Sequence, residues 1–141
     1  VWCVLANKRG NGTPDYQGKW NCPCGYLEAD ESAQEGCARE TLEETGLKIP
    51  IEKFKMNGVE TEPEICNNAN VTIRHICIFN YEESKELPEL NAEKVKSDKL
   101  GETNEVADVK WIPIGDISKY EWAFNQKETI LNLIIDNIFM F

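Results

Sequence analysis

The sequence predicts an α/β fold in which helices cover both faces of a sheet. Strand-like apolar runs occur at residues 1–8, 70–81 and 106–114. Helical patterns occur at residues 32–45 and from about residue 124 to the end. Because strands and amphipathic helices alternate along the chain, we expect the helices to lie on both faces of the sheet.

Turn signals separate the predicted strands. Residues 10–18 contain Asn-Gly and Pro-Asp pairs and are expected to form a loop, after which residues 20–23 form a short extended piece. Residues 51–59 are predicted to be a further strand. The run at residues 70–81 is apolar on both of its alternating faces, which predicts a central strand covered on both sides. The charged residues 82–105 are expected to be a mobile surface excursion.

Capping residues and periodicity define the two helices. Ser32 followed by Glu35 forms a capping box, and Gly46 is the expected end of the first helix. Ala38 and Leu42 predict the face of this helix that packs on the sheet. The second helix is amphipathic, and its apolar side comprises Ile130, Leu131, Ile134, Ile135 and Ile138.

Length and charge restrict the class of protein. The 141 residues predict a single domain with an ordinary core, and no apolar run is long enough for a membrane span. The chain starts inside a strand-like run without a methionine, so we expect a trimmed start. A formal net charge of −10 argues against a nucleic-acid polymer as partner, because that binding requires clustered Lys and Arg.

The cysteine pattern predicts reduced thiols in a cytoplasmic protein. Six cysteines are present, but Cys22-Pro23-Cys24 is not a CxxC pair and no second paired motif exists. Zinc bound through Cys22, Cys24 and Cys66 is the alternative.

Three glutamates on the first helix point to chemistry. Glu40, Glu43 and Glu44 share one stripe at i, i+3 and i+4, where each pair of like charges costs about 0.2–0.5 kcal/mol. A solvated acidic face normally interleaves basic residues, whereas Arg39 is the only basic residue here, placed to pair with Glu43 or Glu31. Mg²⁺ takes oxygen ligands from carboxylates and phosphates. The stripe therefore predicts a divalent cation beside an anionic ligand.

The residues around this stripe resemble the signature of the Nudix hydrolases, G-x5-E-x7-R-E-U-x-E-E-x-G-U. Gly25, Glu31, Arg39-Glu40, Glu43-Glu44 and Gly46-Leu47 meet it at fixed offsets, while Thr41 replaces an aliphatic residue and Cys24 a glycine. The resemblance implies an α/β/α sandwich with a mixed central sheet. It also implies that another strand precedes residue 1.

The resemblance implies hydrolysis of a diphosphate bond in a nucleoside diphosphate derivative, with Mg²⁺ or Mn²⁺ as cofactor. By position in the signature, the resemblance implies that Glu40 and Glu44 are the principal metal ligands and that Glu43 joins them directly or through water. In relatives the backbone carbonyl at the position of Gly25 often joins the shell. The resemblance also implies that Glu31 braces Arg39 in a structural role.

A carboxylate outside the helix commonly serves such enzymes as ligand or general base. Glu105, directly before the last strand, is our choice, with Glu60, Glu62 and Glu64 as competitors. The candidate catalytic residues are therefore Glu43, Glu44 and Glu105. The residue that contacts phosphate stays open among Lys8, Arg9, Lys19 and Arg74. The aromatic residue that stacks on a base stays open among Tyr16, Tyr26 and Phe54.

Other functions compatible with the same resemblance stay open. Some relatives bind a nucleotide sugar without turnover, although this chain keeps every signature carboxylate. An isomerase of isoprenoid diphosphates would need a cysteine near the site, for which Cys24 is the candidate. Many relatives are dimers, so a homodimer is also an option.

Overall fold

Five strands and two α-helices are described in the computed structural model, which covers residues 2–64, 71–79, 87–91 and 105–138. Short 3-10 helices lie at Ile51–Lys53 and Ile114–Lys119. The α/β prediction is confirmed. In chain order the elements are β1 (Cys3–Arg9), β2 (Trp20–Asn21), α1 (Ala33–Thr45), β3 (Lys55–Glu60), β4 (Thr72–Ile76), β5 (Val106–Pro113) and α2 (Gln126–Ile138).

The strands form two antiparallel sheets. β1 lies between β2 and β5 in the larger sheet, and β3 pairs with β4 in the smaller one. Parallel pairing in the described ranges is limited to a single bridge between Trp20 and Trp122. β1 is therefore the central strand among the residues described.

The prediction that residues 70–81 form a central, doubly covered strand is wrong for the part that can be compared. Among the described strands β4 pairs with β3, and Val71, which directly precedes β4, is 62% exposed. Residues 70, 80 and 81 lie outside the described ranges. The apolar pattern of a strand does not reveal which strands pair with it or what covers its faces. Exposed apolar residues are common at protein surfaces, so apolar residues on both faces do not prove that a strand is central. The predicted strand at 51–59 likewise begins later, because Ile51–Lys53 is 3-10 helical.

The core of the larger sheet is closed by α2. Ile130 and Ile134 of α2 pack with Ala6 and Ile112 in one buried cluster. The predicted apolar face is narrower than expected, since Leu131 and Ile135 are exposed. The side chain of Ile138 lies outside the described part. α2 thus covers one face of the sheet through a thin stripe.

The first helix begins and ends as predicted but buries a different face. The Ser32 hydroxyl accepts from the Glu35 amide, the Glu35 carboxylate accepts from the Ser32 amide, and Gly46 ends the helix at φ 76°. Leu42 is 44% exposed, whereas Thr41 and Thr45 are buried, so the predicted packing face of Ala38 and Leu42 is wrong. Threonine is tolerated there because each hydroxyl donates to a carbonyl one turn earlier, at 2.7 and 2.6 Å.

Part of the predicted surface excursion packs on the domain. The Asn91 amide donates to the Thr45 carbonyl at 3.1 Å, and Trp111 Nε1 donates to the Pro88 carbonyl at 2.9 Å. Residues 82–86 and 92–104 of that stretch lie outside the described ranges. The five described cysteines are free, as the cysteine pattern predicts. None of the described helices has the length and apolar character needed to cross a membrane.

Candidate active site

The signature loop lies directly against the carboxylates of α1. The Cys24 amide donates to Glu44 Oε1 at 3.2 Å. A Cβ atom on Gly25 would overlap the carboxyl group of Glu40, so only glycine leaves room for this approach. The backbone of the loop and two helix carboxylates therefore share one small space.

Glu40 and Glu44, which we call the inner pair, are neighbouring carboxylates that are largely shielded from bulk water. Glu44 is buried at 7% exposure, and the side chain of Glu40 is 13% exposed. Desolvation, followed by the hydrogen bond and charge of Glu40, raises the pKa of Glu44 well above its ordinary value. Burial beside a second acid therefore penalises the charged form of Glu44.

Glu31, Arg39 and Glu43, which we call the outer arm, form an ion-pair network around one guanidinium. Arg39 Nε and Nη2 donate to the two oxygens of Glu31 at 3.0 and 2.8 Å. Arg39 Nη1 donates to Glu43 at 3.1 Å and also to Glu40 at 2.8 Å. The hydrogen bond from Arg39 lowers the pKa of Glu31. The arm also reaches the signature loop, because Arg39 Nη2 donates to the carbonyl of Tyr26 at 3.0 Å.

Glu105 comes from a distant part of the chain to the same place. Its backbone carbonyl accepts from the Gly10 amide at 2.7 Å, next to the start of β5. Its charge is one of the causes that raise the pKa of Glu44. Among its competitors, Glu60 lies 3.6 Å from Arg74 in the smaller sheet, and Glu62 and Glu64 are exposed.

The donor set fits a hard divalent cation. The inner pair and the Gly25 backbone supply oxygen atoms, and a cation between the two carboxylates would favour the ionised form of Glu44. In the conformation described, no three acidic, thiol or imidazole groups of residues 2–64, 71–79, 87–91 and 105–138 are already placed to hold an ion. Arg39 holds Glu40 and Glu43 instead, so metal binding requires these carboxylates to turn away from it.

The cysteines of the loop carry neutral thiols. Burial, with a contribution from Glu44, raises the pKa of Cys22 to about 12. The pKa of Cys24 is raised as well, by desolvation of its thiol and then by the charge of Glu44. Cys24 as a residue is exposed, so the charges of the neighbouring carboxylates are the firmer cause of this rise. Neutral thiols are poor nucleophiles, which disfavours the isomerase. Cys66, the third proposed zinc ligand, lies outside the described residues.

One neighbour of the site was not identified by sequence reasoning. Gln126 Oε1, at the start of α2, accepts from the Cys22 amide at 2.8 Å. Arg9, one of the residues left open for phosphate contact, has a side chain that is only 11% exposed and donates to Asp15 at 2.6 Å. No local pattern links Gln126 to Cys22, because 104 residues separate them.

Solved structures of other proteins share this arrangement of strands and helices. The NUDIX domain of NrtR from Shewanella oneidensis, complexed with ADP ribose, has a TM-score of 0.69 at 20% identity over 92% of this chain and 73% of that chain. A bifunctional NMN adenylyltransferase/ADP ribose pyrophosphatase from Francisella tularensis, complexed with AMP and a Mn ion, has a TM-score of 0.75 at 23% identity over 95% of this chain and 38% of that one. At these identities the structures establish the fold.

A sequence relative and a family match complete the comparison. A MutT-like protein of Streptomyces ambofaciens is 44% identical over 37 residues, which span 26% of this chain and 24% of that protein. The family model of the NUDIX domain matches residues 3–133. This match supports the predicted pyrophosphohydrolase class, and because it spans most of the sequence, the chain belongs to the NUDIX domain family.

Proposed function

We propose that this protein hydrolyses the diphosphate bond of a nucleoside diphosphate derivative, with Mg²⁺ or Mn²⁺ as cofactor. The observation that carries the proposal is the inner pair lying under the glycine of the signature loop. Two acids buried side by side repel each other when both are ionised, and a divalent cation between them would turn that repulsion into binding energy. The position of the pair beside an exposed loop gives an anionic substrate access to it.

In the proposed mechanism each residue of the site has a separate role. Glu40, Glu44 and the Gly25 carbonyl would hold the metal, and Glu43 would join them once released from Arg39. When bound, the metal neutralises charge on the diphosphate and lowers the pKa of a water molecule. Glu105 would accept the proton of the attacking water at its carboxylate. Arg39, bonded to Glu31 and to the Tyr26 carbonyl, would hold the signature loop in place against α1.

The named relatives suggest where to look for the substrate. The Shewanella NrtR domain is complexed with ADP ribose, and the Francisella enzyme is named an ADP ribose pyrophosphatase. We therefore propose ADP-ribose and related nucleotide sugars as the first substrates to test. The free cysteines fit the reducing cytoplasm. Residues 1–141 are proposed to form one domain, and a homodimer of it is the proposed assembly.

A turnover screen tests the proposal. Nucleotide sugars, dinucleotides and nucleoside triphosphates are incubated with the protein and Mg²⁺, Mn²⁺ or EDTA, and products are separated by chromatography. We expect release of a nucleoside monophosphate from at least one compound with metal and none with EDTA. Mg²⁺ should also raise the melting temperature, since a ligand at 100 times its Kd stabilises by about 2.7 kcal/mol. Absence of both effects at millimolar metal would overturn the proposal.

A further inference from the structure

A polar groove runs between the smaller sheet and α2. It has a volume of about 210 Å³. Pockets that take a whole small ligand usually measure roughly 300–1,000 Å³, so this groove suits one part of a larger substrate. One wall is the sheet, with Asn57, Glu60 and Arg74, and the other is the polar side of α2.

A series of contacts links the groove to the signature loop. Asn125 lines the groove and directly precedes Gln126, which accepts from the Cys22 amide at 2.8 Å. Cys22 in turn lies two residues before Cys24, whose amide donates to Glu44. From Asn125 the lining continues along α2 to Asp136, a distance of about 16 Å at the rise of an α-helix. A substrate whose diphosphate lies at the inner pair could therefore extend into the groove.

The charge of the groove excludes a phosphate as its occupant. Glu60, Glu128 and Asp136 face a single guanidinium, that of Arg74, which gives a net charge of −2. Arg74 is itself 3.6 Å from Glu60. An anionic group would be repelled here, so the groove selects against the diphosphate and for an uncharged part of the substrate.

The hydrogen-bonding groups of the groove indicate what that part is. Asn57 on the sheet and Asn125 and Asn132 on the helix side all line it. Their side-chain amides have no hydrogen-bond partner among the residues that the structure describes. Each amide offers both donors and an acceptor, as the hydroxyls of a sugar also do. Amides on both walls can thus bond adjacent hydroxyl groups of one ring.

We infer that this groove binds a ribose-type sugar of the substrate and that Asn57, Asn125 and Asn132 determine its specificity. The inference rests on the proposed function, because it assumes a substrate that carries both a diphosphate and a sugar. Two sugars qualify: the ribose of the nucleoside itself, and a second sugar on the far side of the diphosphate.

Binding without turnover tests the inference. The dissociation constants of ADP and ADP-ribose are measured by calorimetry with Ca²⁺, which neutralises the diphosphate in place of Mg²⁺, for the wild type and for Asn57→Ala, Asn125→Ala and Asn132→Ala. The control is Lys127→Ala, an exposed position of α2 outside the groove. Each Asn variant should weaken ADP-ribose binding roughly threefold to tenfold, the loss expected for one neutral hydrogen bond, and the control should not.

The two ligands distinguish the two sugars. An equal loss for ADP and ADP-ribose assigns the groove to the ribose of the nucleoside, and a loss for ADP-ribose alone assigns it to the second sugar. Unchanged binding in all three variants, or no binding of either ligand by the wild type, would overturn the inference. Binding that depends on the asparagines without any hydrolysis in Mg²⁺ or Mn²⁺ would overturn only the proposed function.

Discussion

The inner pair and the outer arm place the same residue type in opposite surroundings. Glu43 and Glu44 are neighbours in the chain, yet Glu43 accepts from Arg39 and Glu44 is buried against Glu40. In the outer arm a guanidinium compensates the carboxylates, which stabilises them as they are. Glu44 is instead buried beside a second carboxylate, which raises its pKa well above the ordinary value. Arg39 also reaches Glu40, so the two regions meet at that side chain. A cation between Glu40 and Glu44 would gain binding energy from their mutual repulsion, whereas the outer arm already has Arg39 as its counter-charge.

The largest expected effect comes from removing one acid of the inner pair. Glu44→Gln keeps the shape but removes a negative ligand, so kcat with Mg²⁺ should fall at least about a hundredfold, equivalent to several kcal/mol of lost charge stabilisation. The fold should persist, because the change also removes a repulsive buried acid.

Glu52→Gln is the matched control for that variant, since Glu52 is exposed in the 3-10 helix after α1. Product release is followed by chromatography and folding by circular dichroism. Full activity of Glu44→Gln would end the assignment of chemistry to the inner pair.

The outer arm should respond mainly through stability. Arg39→Ala removes the donor shared by Glu31, Glu40 and Glu43 and should lower the free energy of unfolding by about 2 kcal/mol, the scale of one charged hydrogen bond. Urea unfolding measures the change, with exposed Lys48→Ala as control. Unchanged stability together with lost turnover would instead place Arg39 in the chemistry and remove the contrast between the two regions.

A pH dependence isolates the ion pair of the outer arm. Arg39 lowers the folded pKa of Glu31, so the pair stabilises the fold above the unfolded pKa of about 4.3 and this stability is lost as pH falls through the folded pKa. At pH 7 wild type should therefore be more stable than Glu31→Gln, and the difference should shrink as the pH falls below the unfolded pKa. Urea midpoints across this range provide the measurement. A difference that stays constant with pH would show that the charge of Glu31 is not responsible.

The features that sequence predicted correctly are encoded locally. The capping box of Ser32 and Glu35 and the left-handed Gly46 lie within one helix, where neighbours in sequence are neighbours in space. The spacing of the signature likewise assigned Gly25 and Glu40 to one site, and the two residues lie against each other in the fold. Local rules suffice where the contacting residues belong to one short segment.

The features that sequence missed depend on distant partners. Which strand is central is decided by pairing between β1 and β5, and the pattern of either strand alone does not contain it. The bond between Gln126 and Cys22 spans 104 residues and has no local signal. The raised pKa of Glu44 depends on burial that the whole fold creates.

The smallest expected effect tests which side of α1 is covered. Leu42 is exposed, so Leu42→Ala should change the free energy of unfolding by less than about 0.5 kcal/mol. Ile130→Ala in α2 is the matched comparison, since Ile130 is 4% exposed and a buried truncation of this size costs about 2–5 kcal/mol. Urea unfolding of both variants measures the two changes in the free energy of unfolding. If Leu42→Ala cost as much as Ile130→Ala, another surface would have to cover Leu42. Both faces of the acidic helix would then be buried, and the inner pair would no longer be distinguished by its burial.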